Sequence, residues 1–156
     1  KEVMPTLRDR VPGVILYIVG RSPSPAVNAL SRPDVIVTGT VPDVRPYLQH
    51  AHLVVAPLRI ARGVQNKILE AMAMARPVVT STSCMRAIVS GGRLDGLAAA
   101  DDPASYVDQI AALLADPARA ARAGVDARDH VVRQYSWQAH LSGLDRHLDV
   151  VARGGR

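Results

Sequence analysis

The chain has 156 residues, of which 48% are hydrophobic, so it is long enough to bury one ordinary hydrophobic core. Its net charge of +5 would permit nucleic-acid binding, but the arginines are scattered among Asp and Ala, and the few aromatics do not interleave with them. We therefore predict no nucleic-acid partner. No apolar run approaches the roughly 18 residues of a membrane span, and no signal-peptide pattern is present. The predicted location is the cytoplasm, with peripheral attachment to the inner face of the membrane as the alternative.

The predicted elements alternate between strands and helices along the chain. Helices are expected at 2–10, at 26–31, after Asp43 through His50, after Gly63, from Pro103 toward Asp116, at about 117–134 and at 136–153. Buried strands are expected at 14–19, 35–38, 53–56, 77–80 and, more weakly, 97–100. This alternation predicts an α/β domain with a parallel sheet of at least four strands.

The segment 56–80 carries the most information about function. It joins a strand end, a loop containing Gly63, a helix and a second buried strand. This order presents a helix N-terminus to a phosphorylated ligand. We expect the backbone N–H groups of Val64, Gln65 and Asn66 to be free to hold an anion.

The helix of this segment carries a polar cluster of Asn66, Lys67 and Glu70. We expect neighbouring Ala and Met side chains to leave Glu70 little solvent, so that its carboxylate needs a partner or a ligand donor. Glu70 lies roughly 10 Å beyond the helix start, a gap that a nucleotide diphosphate could span from its phosphates to its ribose. A simple Lys67–Glu70 surface pair is an equally open interpretation.

Loops that follow the strands are the other candidate regions. The loops at 20–22, 39–41 and 57–63 can converge on one cleft beyond the carboxyl ends of the strands. Arg59 and Arg62 are phosphate candidates because Arg binds phosphate oxygens through a fork, with two solvated arginines as the alternative. Arg21 is expected to be solvated, with a partial role in contacting the diphosphate as the alternative.

Other polar groups suggest structural roles. The histidines have no metal-site spacing, and we predict no metal. Cys84 is predicted to be a small core residue, and no His and Asp pattern supports Ser81 or Ser83 as a nucleophile. Asp101 and Asp102 are expected to cap the following helix.

The run Gly63–Val79 resembles the donor-site signature of the retaining GT-B glycosyltransferases of group 1, also called family 4. The segments 39–43 and 135–137 are similar to landmarks that flank this signature in the family. One position departs from the pattern: Arg62 stands where the family usually has the first of two glutamates, and Glu70 matches the second. In the family the first glutamate contacts the transferred sugar. The departure at Arg62 therefore bears on the identity of the donor sugar.

The resemblance implies a Rossmann-like parallel sheet flanked by helices, the C-terminal half of a GT-B glycosyltransferase. Residues 1–156 would be a single donor-binding domain whose first strand and N-terminal acceptor domain are absent from this sequence. The implied donor-site residues are Glu70, Lys67, Asn66, Gly63, Val64, Gln65, Arg62 and Val41, with the backbone around Val41 near the nucleobase.

The implied enzyme is a retaining hexosyltransferase of bacterial polysaccharide biosynthesis. It would use a nucleotide-diphosphate sugar as its donor substrate, a glycan or lipid-linked molecule as its acceptor, and no cofactor or metal. This chain alone would be inactive. Two alternatives stay open, a non-catalytic α/β nucleotide-binding or regulatory module and one half of a sugar-nucleotide epimerase.

Overall fold

The computed structural model describes residues 2–58, 63–89, 92–138 and 141. Strands and helices alternate along them, as the sequence predicts. The helices are α1 (Val3–Arg10), α2 (Pro25–Asn28), α3 (Arg45–His50), α4 (Asn66–Ala73), α5 (Thr82–Ile88), α6 (Pro103–Ala115) and α7 (Pro117–Tyr135). The strands are β1 (Leu16–Val19), β2 (Val35–Gly39), β3 (Val54–Ala56), β4 (Val78–Thr80) and β5 (Leu97–Ala99).

All strand pairs are parallel, but the strands form two sheets. β1 pairs with β2 in one sheet, and the second sheet has the order β3-β4-β5. The prediction of one sheet with at least four strands is therefore wrong in its connectivity, because no described residues form a ladder between β3 and either β1 or β2. Strand type and direction agree with the prediction.

Helices cover both faces of the three-stranded sheet. On one face, Val79 packs in a core with side chains of α1 and α6, including Leu7, Val107 and Ile110. On the other face, Val78 packs in a core with side chains of α4, α5 and α7. Neighbouring residues of a strand point to opposite faces. β4 is therefore buried on both sides, and Thr80 at its end is buried as well.

Two glycines allow α7 to lie against the rest of the domain. A Cβ atom at Gly124 would lie 2.1 Å from the carbonyl oxygen of Ala75, and one at Gly96 would lie 2.2 Å from that of Ala123. Real Cβ atoms do not approach backbone oxygen so closely. The close approach of α7 to the end of α4 therefore requires glycine at position 124.

Helix starts follow their capping residues. The N-cap of α3 is Val44; the Asp43 carboxylate before it accepts a hydrogen bond from the Arg45 N–H at 2.9 Å, and α3 ends at His50 as predicted. Asp102 and Ser105 form a capping box at the start of α6. Most of the helix predicted at 136–153 lies outside the described residues.

Helix α5 has no counterpart in the sequence-based prediction. The residue that indicates the start of this helix in the sequence is Ser81, the N-cap. Its side chain accepts a hydrogen bond from the Cys84 N–H at 3.4 Å. Cys84 lies in the core at 1% exposure, which confirms the structural role predicted for it.

Candidate functional site

The candidate site begins at Gly63, which the structure places ahead of α4. Its φ of +73° lies in the left-handed region, which residues other than glycine adopt only with strain. Gln65 then takes an extended conformation as the N-cap, and its side-chain amide donates a weak hydrogen bond to the Gly63 carbonyl at 3.4 Å. Gly63 thus sets the turn from which α4 starts.

The first turn of α4 has backbone N–H groups without an acceptor in the described part of the chain. Counting from Val64, the first N–H with a described acceptor is that of Ile68, which donates to the Gln65 carbonyl at 2.9 Å. Among the described residues, none accepts a hydrogen bond from the N–H groups of Val64, Gln65, Asn66 or Lys67. In this part of the chain, the three N–H groups predicted to be donors and that of Lys67 therefore have no protein acceptor.

Glu70 is exposed, so the expectation that neighbouring side chains shield it is wrong. The buried face of α4 consists of Ile68, Ala71 and Met72. At about 100° of rotation per residue, Glu70 lies roughly 160–200° from Ile68 and Met72, on the opposite side of the helix. Neighbours in sequence therefore point into the core and leave the Glu70 carboxylate in contact with solvent.

Asn66, Lys67 and Glu70 are all exposed, and together they form what we call the α4 polar face. No ion pair joins Lys67 to Glu70 in the part of the chain that the structure describes, so the surface-pair interpretation gains no support. Within the same residues the Glu70 carboxylate accepts no hydrogen bond. None of the described cations pairs with its charge, and its oxygens are open to a ligand.

The strand-end loops fall into two groups. Val19 and Gly39 are paired at the ends of β1 and β2, which brings Gly20 and Arg21 beside Thr40 and Val41. Arg21 is exposed as expected, and Val41 is half-buried. The second group follows β3, β4 and β5, whose last residues Ala56, Thr80 and Ala99 are in register.

The two predicted phosphate arginines, Arg59 and Arg62, lie outside the described residues. Convergence of all three predicted loops on one cleft therefore stays a prediction.

At the start of α5, unlike that of α4, a carboxylate of the described part of the chain accepts a backbone hydrogen bond. The Asp101 carboxylate accepts hydrogen bonds from the Thr82 N–H at 2.9 Å and from the Thr82 hydroxyl at 2.6 Å. These bonds, the hydroxyl bond foremost, lower the pKa of Asp101. The expectation that Asp101 caps the following helix is therefore corrected, since its carboxylate binds the first residue of α5, whose N-cap is Ser81, whereas Asp102 is the N-cap of α6.

The larger of two described cavities, about 360 Å³, lies between α5 and α7, away from the α4 polar face. Its lining is Ile88, Val89, Gly92, His130, Gln134 and Tyr135.

Across residues 2–58, 63–89, 92–138 and 141, no three His, Cys, Asp or Glu side chains converge as metal ligands would. In those same ranges, no helix is both long enough and apolar enough to cross a membrane.

Parallel strands, helices on both faces and an open helix start after a strand define a Rossmann-like α/β domain. The sequence model of the family described as glycosyl transferases group 1 matches residues 1–116. The chain therefore belongs to the group 1 glycosyltransferases, which confirms the resemblance carried by Gly63–Val79. A search of curated proteins gives no match to the chain.

Proposed function

We propose that this chain is the donor-binding domain of a glycosyltransferase that uses a nucleotide-diphosphate sugar. The observation that carries the proposal is the start of α4. There, backbone N–H groups without a described acceptor lie within one or two helical turns of the exposed α4 polar face. The family match supports glycosyl transfer as the class of activity.

In this proposal the diphosphate binds at the first turn of α4. The free N–H groups and the positive end of the helix dipole favour an anion there. Lys67 adds a full positive charge beside them, and Arg62 and Arg59 keep the phosphate role that the sequence predicts. With these groups neutralising the diphosphate, donor binding needs no metal.

Glu70 would accept hydrogen bonds from the ribose hydroxyls. It lies one turn beyond Asn66 on the same outward face, so a ligand whose phosphates meet the helix start can reach it. An exposed carboxylate with no partner among the described residues keeps its acceptor atoms available. The half-buried backbone at Val41 is the proposed contact of the nucleobase.

The chemistry of transfer would lie between this domain and a second one. We propose an N-terminal domain of the same enzyme that binds a glycan or lipid-linked acceptor, and a retaining hexosyl transfer in bacterial polysaccharide synthesis. The proposed location is the cytoplasm, with the inner membrane face as the alternative for a lipid-linked acceptor. This domain would orient the donor and stabilise the charge that develops on the leaving diphosphate.

Calorimetric titration with UDP and GDP tests the proposal. Glu70→Gln keeps the shape of the side chain but removes its charge. It should therefore weaken binding of the preferred nucleotide by about 1.5–3 kcal/mol, the range for hydrogen bonds to charged groups. Asp129→Asn, an exposed carboxylate on α7, is the matched control and should leave the affinity unchanged.

The melting temperature of Glu70→Gln should stay close to that of the unaltered chain, because an exposed side chain without described partners contributes little to folding. Equal affinities for the unaltered chain and Glu70→Gln would remove Glu70 from the site. Absence of binding to either nucleotide would favour a structural or regulatory module instead.

A further inference from the structure

Helix α7 has an outer face that the described part of the chain leaves uncovered. Its inner face, which includes Gly124 and Ala127, is buried against the domain. On the outer side, Val125 is 55% exposed and Val132 is 52% exposed. These two valines lie seven residues apart, nearly two full turns, and the exposed Ala118 lies seven residues before Val125. The helix therefore presents an apolar line to the solvent.

Two opposite charges border this apolar line. Arg122 and Asp129 are both exposed, and they lie roughly 60° and 40° around the helix from Val125, on the same side of it. They are about 10 Å apart along the helix axis. Neither side chain forms an ion pair within the described residues. Each charge is therefore available to a group on another molecule.

The exposed side of α7 is complementary to itself when two copies of the helix lie antiparallel. A two-fold axis beside Val125 places the two Val125 side chains against each other and Val132 of each copy against Ala118 of the other. In the same register, to within one residue, Arg122 of each copy lies opposite Asp129 of the other. Every contact is then made twice, as in the symmetric interfaces of most dimers. A parallel pair would place these charges on opposite sides of the contact and leave them unpaired.

We propose that this surface, which we call the α7 outer face, binds the same surface of a second copy of the chain in an antiparallel pair. The face consists of Ala118, Arg122, Val125, Asp129 and Val132. Burial of the valines drives the association, and the two Arg–Asp pairs set its direction. The contact is only one helix wide, smaller than a standard protein interface, so the dimer is weak.

An anionic membrane fits the α7 outer face less well, because the Asp129 carboxylate would face the lipid charges. The α4 polar face is not part of this surface. Nucleotide titrations and thermal melts in dilute solution therefore report on the monomer, and the inference does not rest on nucleotide binding.

Sedimentation velocity over about a thousandfold range of protein concentration tests the association. The chain should change from monomer to dimer as its concentration rises. Val125→Asp puts two carboxylates together at the two-fold axis and should raise the dimer Kd at least tenfold. Val44→Asp, at a residue that is 41% exposed at the start of α3, is the matched control and should leave the Kd unchanged. A monomer at every concentration would overturn the proposal, and so would the same Kd for both variants.

A charge exchange tests the antiparallel register. Arg122→Asp alone puts carboxylates opposite each other, and Asp129→Arg alone puts guanidinium groups opposite each other, so each single variant should lose the dimer. An equimolar mixture of the two variants should dimerise, because both Arg–Asp pairs form again between the two different chains. The double variant Arg122→Asp/Asp129→Arg should recover the Kd of the unaltered chain. A mixture that stays monomeric, or a single variant with unaltered Kd, would overturn the antiparallel pairing.

Two further measurements separate this association from other effects. The melting temperature of each variant in dilute solution should stay close to that of the unaltered chain, because the altered side chains are exposed. Co-sedimentation with phosphatidylglycerol vesicles tests the membrane as the occupant. Binding to the vesicles that is lost in Val125→Asp, in a chain that stays monomeric in solution, would assign the α7 outer face to a membrane and overturn the proposal.

Discussion

Helix α4 has two faces that differ in almost every physical respect. Ile68, Ala71 and Met72 are completely buried against the sheet, whereas Asn66 and Glu70 face water. A change on the inner face must alter packing, and a change on the outer face can alter only what binds there. The contrast separates folding from function on a single helix, and each experiment below measures one of the two.

The largest expected effect is on the inner side, where α7 meets the end of α4. Gly124→Ala would place a Cβ atom 2.1 Å from the Ala75 carbonyl oxygen, and we expect it to lower the free energy of unfolding by about 3 kcal/mol. Helix propensity alone would predict a gain of about 1 kcal/mol from Gly to Ala within α7. The sign of the change in urea unfolding therefore tests the close approach.

Gly20→Ala is the control for this experiment. A Cβ atom at Gly20 would meet no atom within 4 Å, and the backbone there is not left-handed. We expect its unfolding free energy to stay within about 0.5 kcal/mol of the unaltered chain. Equal stabilities for Gly124→Ala and Gly20→Ala would contradict the packing of α7 described above.

On the outer face, Lys67→Ala should weaken nucleotide diphosphate binding by about 1 kcal/mol in dilute buffer. The loss should shrink as salt rises from 0.05 to about 0.5 M, because salt screens interactions between exposed charges. Arg133→Ala, an exposed cation on α7, should leave the affinity unchanged. An affinity loss that is independent of salt would exclude a charge contact between Lys67 and the phosphates.

The Asp101 cap of α5 offers a pH-dependent test of folding. Its pKa is lowered in the folded chain, chiefly by the Thr82 hydroxyl, so the stabilisation is present above its unfolded pKa of about 4 and is lost as pH falls through the lower folded pKa. Asp101→Asn should therefore lower the melting temperature at pH 7 and have little effect near pH 2. Asp129→Asn is the control. An equal drop at both pH values would argue against the charged cap.

The sequence predicted local signals better than it predicted partners between segments. Asp102 followed by Pro103 correctly predicts the start of α6, and the apolar runs correctly predict all five strands. The connectivity of the sheets depends on which strand edges pair, and the apolar residues of a strand do not specify its partner. Short strands with similar apolar residues are compatible with several arrangements.

At the candidate site, the start of α4 after Gly63 was predicted correctly, whereas the environment of Glu70 was not. Gly63 and the free N–H groups follow from local rules for helix starts. The burial predicted for Glu70 was wrong because Ala71 and Met72 are its neighbours in sequence, whereas helical rotation of about 100° per residue turns both of them into the core. Helix α5 was not predicted, although Ser81 is a typical N-cap residue and its side chain caps the first turn.

The smallest effect concerns Ala75, where α4 ends. Its φ is +54°, and the N–H groups of Ala75 and Arg76 donate to the carbonyls of Met72 and Ala71 at 2.9 and 3.0 Å. This pair of bonds is the Schellman motif, whose left-handed position favours glycine. Ala75→Gly removes a strain of about 1–2 kcal/mol but adds flexibility to the unfolded chain, which costs about 0.5–1 kcal/mol. We therefore expect a net gain of about 0.5 kcal/mol in unfolding free energy.

The control is Ala112→Gly, on the exposed side of α6 in ordinary helical conformation, which should instead lose about 1 kcal/mol of unfolding free energy. If urea unfolding shows equal losses for both variants, the left-handed conformation of Ala75 is wrong.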